Sequence, residues 1–175
     1  MGGYALKLAK QMAAVLGSDE HMVAAARCLP KGATTRRALG AAVGTVGGLV
    51  PAAVGSLAGG ATTAGQAPGG IPLPRNLALG LTDQRLLVFS LSQATERAIG
   101  CTHAIPLFDV HTARHEIGRK LMTRVARLDV ALSDGSTIAV EAPSPRSREA
   151  QRFAEALETV VAPLPRRERA ADRGW

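Results

Sequence analysis

The chain has 175 residues, enough for one domain of common size with an extension, and its formal net charge of +7 is unevenly placed. Residues 1–37 carry six basic and two acidic side chains, residues 75–143 carry eight and seven, and residues 38–74 carry none. Five aromatic residues are too few for the stacking platforms that single-stranded nucleic acid needs, and two cysteines 73 positions apart behind a lysine-containing start point away from a disulfide framework and a secretory leader.

Residues 1–17 read as an amphipathic helix. Tyr4, Leu8, Met12, Val15 and Leu16 recur at steps of four or three, Lys7 and Lys10 point the other way, and Gly17 is placed to end it. Residues 18–31 contain HMVAAARCL, whose periodicity does not separate strand from helix. Residues 32–76 form an uncharged Gly/Ala-rich insertion with basic residues at its ends.

From Leu77 the period becomes two. Leu77, Leu79 and Leu81 alternate, Thr82-Asp83-Gln84 makes a polar break, and RLLVFSL follows, which predicts a hairpin. His103, Ile105 and Leu107 alternate next; then Ala126, Leu128, Val130 and Leu132 face one way with Arg127 and Asp129 facing the other. Asp134-Gly135 suits a two-residue hairpin turn, and Ile138 and Val140 return on the same inner face. The pattern predicts an antiparallel meander with one buried face. Ser144 as N-cap and Pro145 at the first helical position then predict a closing helix, with Phe153, Leu157, Val160, Val161 and Leu164 as its apolar stripe and Pro163 and Pro165 as its stop. Residues 77–165 thus read as an antiparallel meander followed by a helix, and residues 166–175 read as a disordered basic tail.

Strands ending in one C-terminal helix, with LALGLTDQRLLVF, IPLFDV, LDVALSDGSTIAVE and AQRFAEAL in that order, resemble the bacterial pleckstrin-homology-like (PH/GRAM-like) domains. The resemblance implies a mainly β fold with flanking helices (α+β): a small antiparallel barrel of about seven strands, capped by a C-terminal helix. It implies HMVAAARCL as the first strand, no catalysis, no cofactor, and a partner that is a protein or a lipid. The arginine of L-T-x-x-R-L-L, Arg85, serves either structure or a ligand. In eukaryotic relatives the connection between the first two strands often carries the basic residues that hold phosphoinositide phosphates. Here that connection is long and neutral, and Lys31, Arg36, Arg37 and Arg75 stand at its two ends as the candidates for a lipid surface.

Within the neutral run, Gly40, Gly44 and Gly48, then Gly55 and Gly59 after Pro51, recur every four residues and would line a small-residue face on helices. Seven glycines between residues 38 and 64 would cost such helices roughly 7 kcal/mol relative to alanine in water. Three readings stay open: a soluble loop, a hairpin entering an anionic membrane surface from one side, and a single span near 38–64. His111 and His115 stand four apart, but Thr112 occupies the place where the zinc-protease pattern requires glutamate, and no third ligand accompanies them. Cys101 and His103 could share a strand face without an orienting third member. The expectation is a cytoplasmic, non-enzymatic binding or scaffold module without metal, with peripheral association at an anionic membrane surface left open; the alternatives are an integral membrane protein and an enzyme or metal protein using His111 and His115.

Overall fold

A computed structural model describes residues 3–33, 69–120 and 122–162. The period-two runs become seven strands: β1 Met22–Pro30, β2 Leu77–Thr82, β3 Arg85–Leu91, β4 Ala98–Pro106, β5 Val110–Lys120, β6 Thr123–Leu132 and β7 Thr137–Pro143. Each pairs antiparallel with its neighbours in the order β4-β3-β2-β1-β7-β6-β5. Two helices flank the sheet, α1 (Gly3–Gln11) and α2 (Ser147–Val161). HMVAAARCL is a central strand. Its side chains stand opposite β2, with Ala26 facing Leu79 and Cys28 facing Leu77.

Leu77, Leu79, Leu81, Leu86 and Val88 meet Leu128, Val130, Ile138 and Val140 in one core, and Phe153 and Leu157 of α2 complete it. Inner faces from both ends of the sheet therefore share a single cluster, so the sheet bends around it and α2 closes the open side against β1, β5 and β6. This is the PH-like α+β architecture that the resemblance implies.

The expectation of one buried face is corrected. All six residues of β2 are buried, because α1 lies on the outer side of β1 and neighbouring strands. Ala5, Leu8 and Met12 pack there with Ala78, Leu87, Phe89 and Leu91 in a second core. Close approach on this face requires glycine at position 80, where a Cβ would come within 2.9 Å of the Phe89 ring and 3.2 Å of the Met22 sulfur.

Three local expectations are also corrected. The β6–β7 loop is not a two-residue turn: Leu132 N–H donates to the Ser136 carbonyl (2.9 Å), and Ser133, Asp134 and Gly135 lie between. Gly135 takes the left-handed conformation (φ 86°), while the Asp134 carboxylate accepts Ser136 N–H at 2.8 Å and fixes the preceding turn. Helix α2 starts at Ser147 rather than at Pro145, because Ser144 N–H still donates to Arg124 of β6 (2.8 Å) and the chain must turn first. Helix α1 ends at Gln11, well before Gly17; the Val15 carbonyl accepts instead from Arg85, and Gly17 N–H donates to Glu20.

The two ends of the β1–β2 connection meet the same strand. Lys31 N–H donates to the Ala139 carbonyl (3.0 Å), and Ile71 N–H donates to that of Thr137 (3.0 Å). Leaving and re-entering chain thus lie two β7 residues apart, about 7 Å along the strand. Among the described residues no helix is long and apolar enough to cross a membrane. Gly40, Gly44, Gly48, Gly55, Gly59, Arg36, Arg37, Leu164, both C-terminal prolines and the tail 166–175 lie outside the described residues.

Candidate functional site

The side chains singled out in the sequence do not converge. Lys31 is ion-paired with Asp129 across β1 and β6, its Nζ 3.0 Å from Oδ1. Arg75 is exposed at the other end of the connection. On β5, His111 is exposed, while His115 turns to α2, where its Nδ1 stands 2.8 Å from Glu158 Oε1. Among the described residues no three His, Cys, Asp or Glu side chains stand close enough to hold a metal ion. The Cys101 thiol donates to the backbone carbonyl of His103 (3.2 Å), and the His103 ring turns to the Thr102 hydroxyl. Burial raises the Cys101 pKa and pushes that of Cys28 up to about 12, so neither thiol is activated.

Arg85 resolves to structure. Its Nε donates to Glu20 Oε1 at 3.0 Å, its Nη2 pairs with Oε2 and reaches the Val15 carbonyl, and the Thr82 hydroxyl donates to Oε1 at 2.7 Å. The Glu20 side chain is 1% exposed, so the carboxylate is buried but met on both oxygens. The Arg85 hydrogen bond, helped by Thr82 and Gly17 N–H and opposed by burial, holds its pKa at about 2. This knot ties the α1–β1 segment to the β2–β3 hairpin.

A cavity lies elsewhere. Lys31, Leu29 and Arg27 turn their amides away from β2; within β1 only Leu29 and Pro30 pair with β7, which also accepts the Lys31 amide just beyond the strand. At Arg27 the Glu149 carboxylate of α2 takes over: Arg27 N–H donates to Oε1 at 3.0 Å. By strand alternation the N–H and carbonyl of Ala25 also point away from β2. Between this edge and α2 runs a groove of about 590 Å³, lined by Tyr4 on α1, by Val23, Ala24 and Ala25 on β1, and by Arg148, Glu149, Arg152 and Phe153 on α2.

The groove is positively charged on its helical side. Arg148 and Arg152 are exposed and one turn apart, whereas Glu149 is engaged by Arg27. Arg27 in turn pairs with Glu96 (2.7 Å), which also holds Arg146. The Arg27 guanidinium stacks 4.7 Å from the Tyr4 ring centroid. The Tyr4 hydroxyl is buried with no hydrogen-bond partner among the described residues, and burial raises its pKa to about 12, so it stays a proton donor. None of these residues stood out in sequence. Tyr4 read as part of an apolar face, and the four-residue spacing of Arg148 and Arg152 marks only a solvated helix side.

The sheet order and the closing helix make the class of fold PH-like, and solved structures similar to this chain were found. One is a pleckstrin homology domain from Shewanella amazonensis SB2B, 12% identical with a TM-score of 0.49, covering 90% of this chain and 98% of that chain. Another is a DUF1696 family protein with a pleckstrin-homology domain from Shewanella loihica PV-4, 10% identical with a TM-score of 0.46, covering 90% of this chain and 92% of that chain. A third is the hSac2 domain of the human phosphoinositide phosphatase Sac2, 11% identical with a TM-score of 0.47, covering 93% of this chain and 83% of that chain. No family model matches the chain, and no curated protein matches it.

Proposed function

We propose that this chain is a non-enzymatic binding module of PH-like fold whose partner seats in the groove between β1 and α2. The observation that carries this reading is the groove itself: a concave site of about 590 Å³ in which Val23, Ala24, Ala25 and Phe153 stand beside Tyr4, Arg148, Glu149 and Arg152. Two groups that could do chemistry are committed to structure, His115 to Glu158 and Glu20 to Arg85. A chemically mixed fragment library titrated into 15N-labelled protein tests it. Amide shifts clustering at Val23, Ala24, Ala25, Arg148 and Arg152 are expected. Clustering at another surface instead overturns it.

A second reading concerns the β1–β2 connection. Both of its ends rest on β7, and Lys31 and Arg75 stand near them. This favours peripheral association with an anionic membrane surface, each nearby cation contributing about 1 kcal/mol. Co-sedimentation with phosphatidylserine vesicles should fall when Lys31, Arg36, Arg37 and Arg75 are all changed to Gln, and should fall with salt. Binding equal in the variant and in 0.5 M salt, taken as about a 4 Å screening length, would remove charge as the cause.

A further inference from the structure

We propose that the groove takes an acidic peptide segment in extended conformation, which adds as a strand along the free edge of β1 and sets its acidic side chains against Arg148 and Arg152. The proposal rests on the groove being the binding face and names what it binds.

The backbone supplies the first half of the argument. A central strand is ordinarily paired on both sides, yet β1 pairs with β7 only at its last two residues. Along Ala24–Cys28 the register with β2 is unbroken, so Arg27 and Ala25 present their amides to the same side. Glu149 occupies the first of these. The second, at Ala25, faces the same side by alternation, and Ala25 is one of the residues that line the groove. Val23, which falls in the register shift between Met22 and Ala24, exposes an apolar side chain at the groove's end. An unpaired N–H and C=O beside an apolar wall are what an added strand requires.

Charge and spacing supply the second half. Arg148 and Arg152 are four residues apart on α2, which sets them about 6 Å apart along the helix axis. Side chains that share one face of a strand repeat at about 6.7 Å. Two carboxylates on alternate residues of a strand running along α2 would match the two guanidiniums. Glu149, the one acid among the lining residues, is neutralised by Arg27 and does not oppose them.

The test uses the full 15N-labelled chain and a pool of capped hexapeptides with glutamate at alternate positions and mixed apolar residues between. Three further probes accompany it: a lysine-substituted pool, the glutamate pool N-methylated at alternate amides, and phosphatidylserine vesicles. Shifts at Val23–Ala25 with the glutamate pool, at least fivefold slower hydrogen exchange at the Ala25 amide, and at least tenfold weaker binding of the N-methylated pool are expected. The double variant Arg148→Glu, Arg152→Glu, on exposed helix positions, should lose the glutamate pool at least tenfold and gain the lysine pool. Peptide binding that leaves Ala25 exchange unchanged, or is indifferent to N-methylation, overturns strand addition. If fragments find the groove but neither peptide pool does, the binding face stands and this occupant falls; if vesicles alone shift Arg148 and Arg152, the surface is for lipid and the inference is wrong.

Discussion

Glu20 shows how one side chain can decide a local structure. Buried alone, a carboxylate would shift its pKa upward; with Arg85, Thr82 and Gly17 N–H around it, the charged form is favoured and the pKa falls from 4.5 to about 2. The folded value lies below the unfolded one, so this contribution is fully present above about pH 4.5 and disappears as pH falls through 2. Its size is on the order of 3 kcal/mol. Glu20→Gln should destabilise the protein at pH 7 by about 2 to 4 kcal/mol, because Arg85 loses its counter-charge but keeps some contact with water. Urea melts at pH 7, 5 and 3 check this: the gap between wild type and variant should narrow toward pH 3, and a constant gap would mean that the pair adds no linkage. In sequence Glu20 is a turn residue after Asp19, and its partner is 65 positions away.

At the scale of elements, α1 is more than an amphipathic extension. It turns Leu8, fully buried, onto Ala78, Leu87 and Phe89, on the face of β2 and β3 opposite Leu79 and Val88. Leu8→Ala should therefore cost about 2 to 4 kcal/mol as a large-to-small core change, while Lys7→Ala, on the exposed side, should stay within about 0.5 kcal/mol. Chemical denaturation measures both; equal small effects would show that the helix does not seal that face. The β3 run RLLVFSL carried a hint of this, since it is apolar at consecutive positions rather than at alternate ones. Its covering element could not be named from the run itself, because either helix has an apolar face.

For the whole molecule, the decisive fact is that β1 sits between β2 and β7 while residues 31–76 separate β1 from β2 in sequence. The ends of that connection lie on one strand, so they share a compartment. Single cysteines introduced as Lys31→Cys or Pro72→Cys, in a variant lacking Cys28 and Cys101, should react alike with a membrane-impermeant reagent in intact cells and alike after lysis. Labelling of only one would place the two ends on opposite sides of a bilayer and require β1 to leave the sheet.

What the amino-acid order determined by itself is the set of elements whose signal is local. Alternation over Ala126–Leu132 marks β6, the stripe through Phe153 and Leu157 marks α2, and the pair of runs around Thr82-Asp83-Gln84 marks the β2–β3 hairpin. These needed only periodicity and turn chemistry. Strand or helix at HMVAAARCL was settled by its neighbours, since alanine-rich sequence fits both and only pairing with Leu77–Thr82 satisfies its backbone as a strand. The start of α2 was settled by a hydrogen bond from Ser144 to a distant strand. The groove depends on tertiary structure entirely: Tyr4, Ala25 and Arg152 belong to three elements, and no pattern along the chain records that β7 stops pairing with β1 where α2 begins. A free strand edge is a property of what lies beside the strand, so it exists only once the chain has folded.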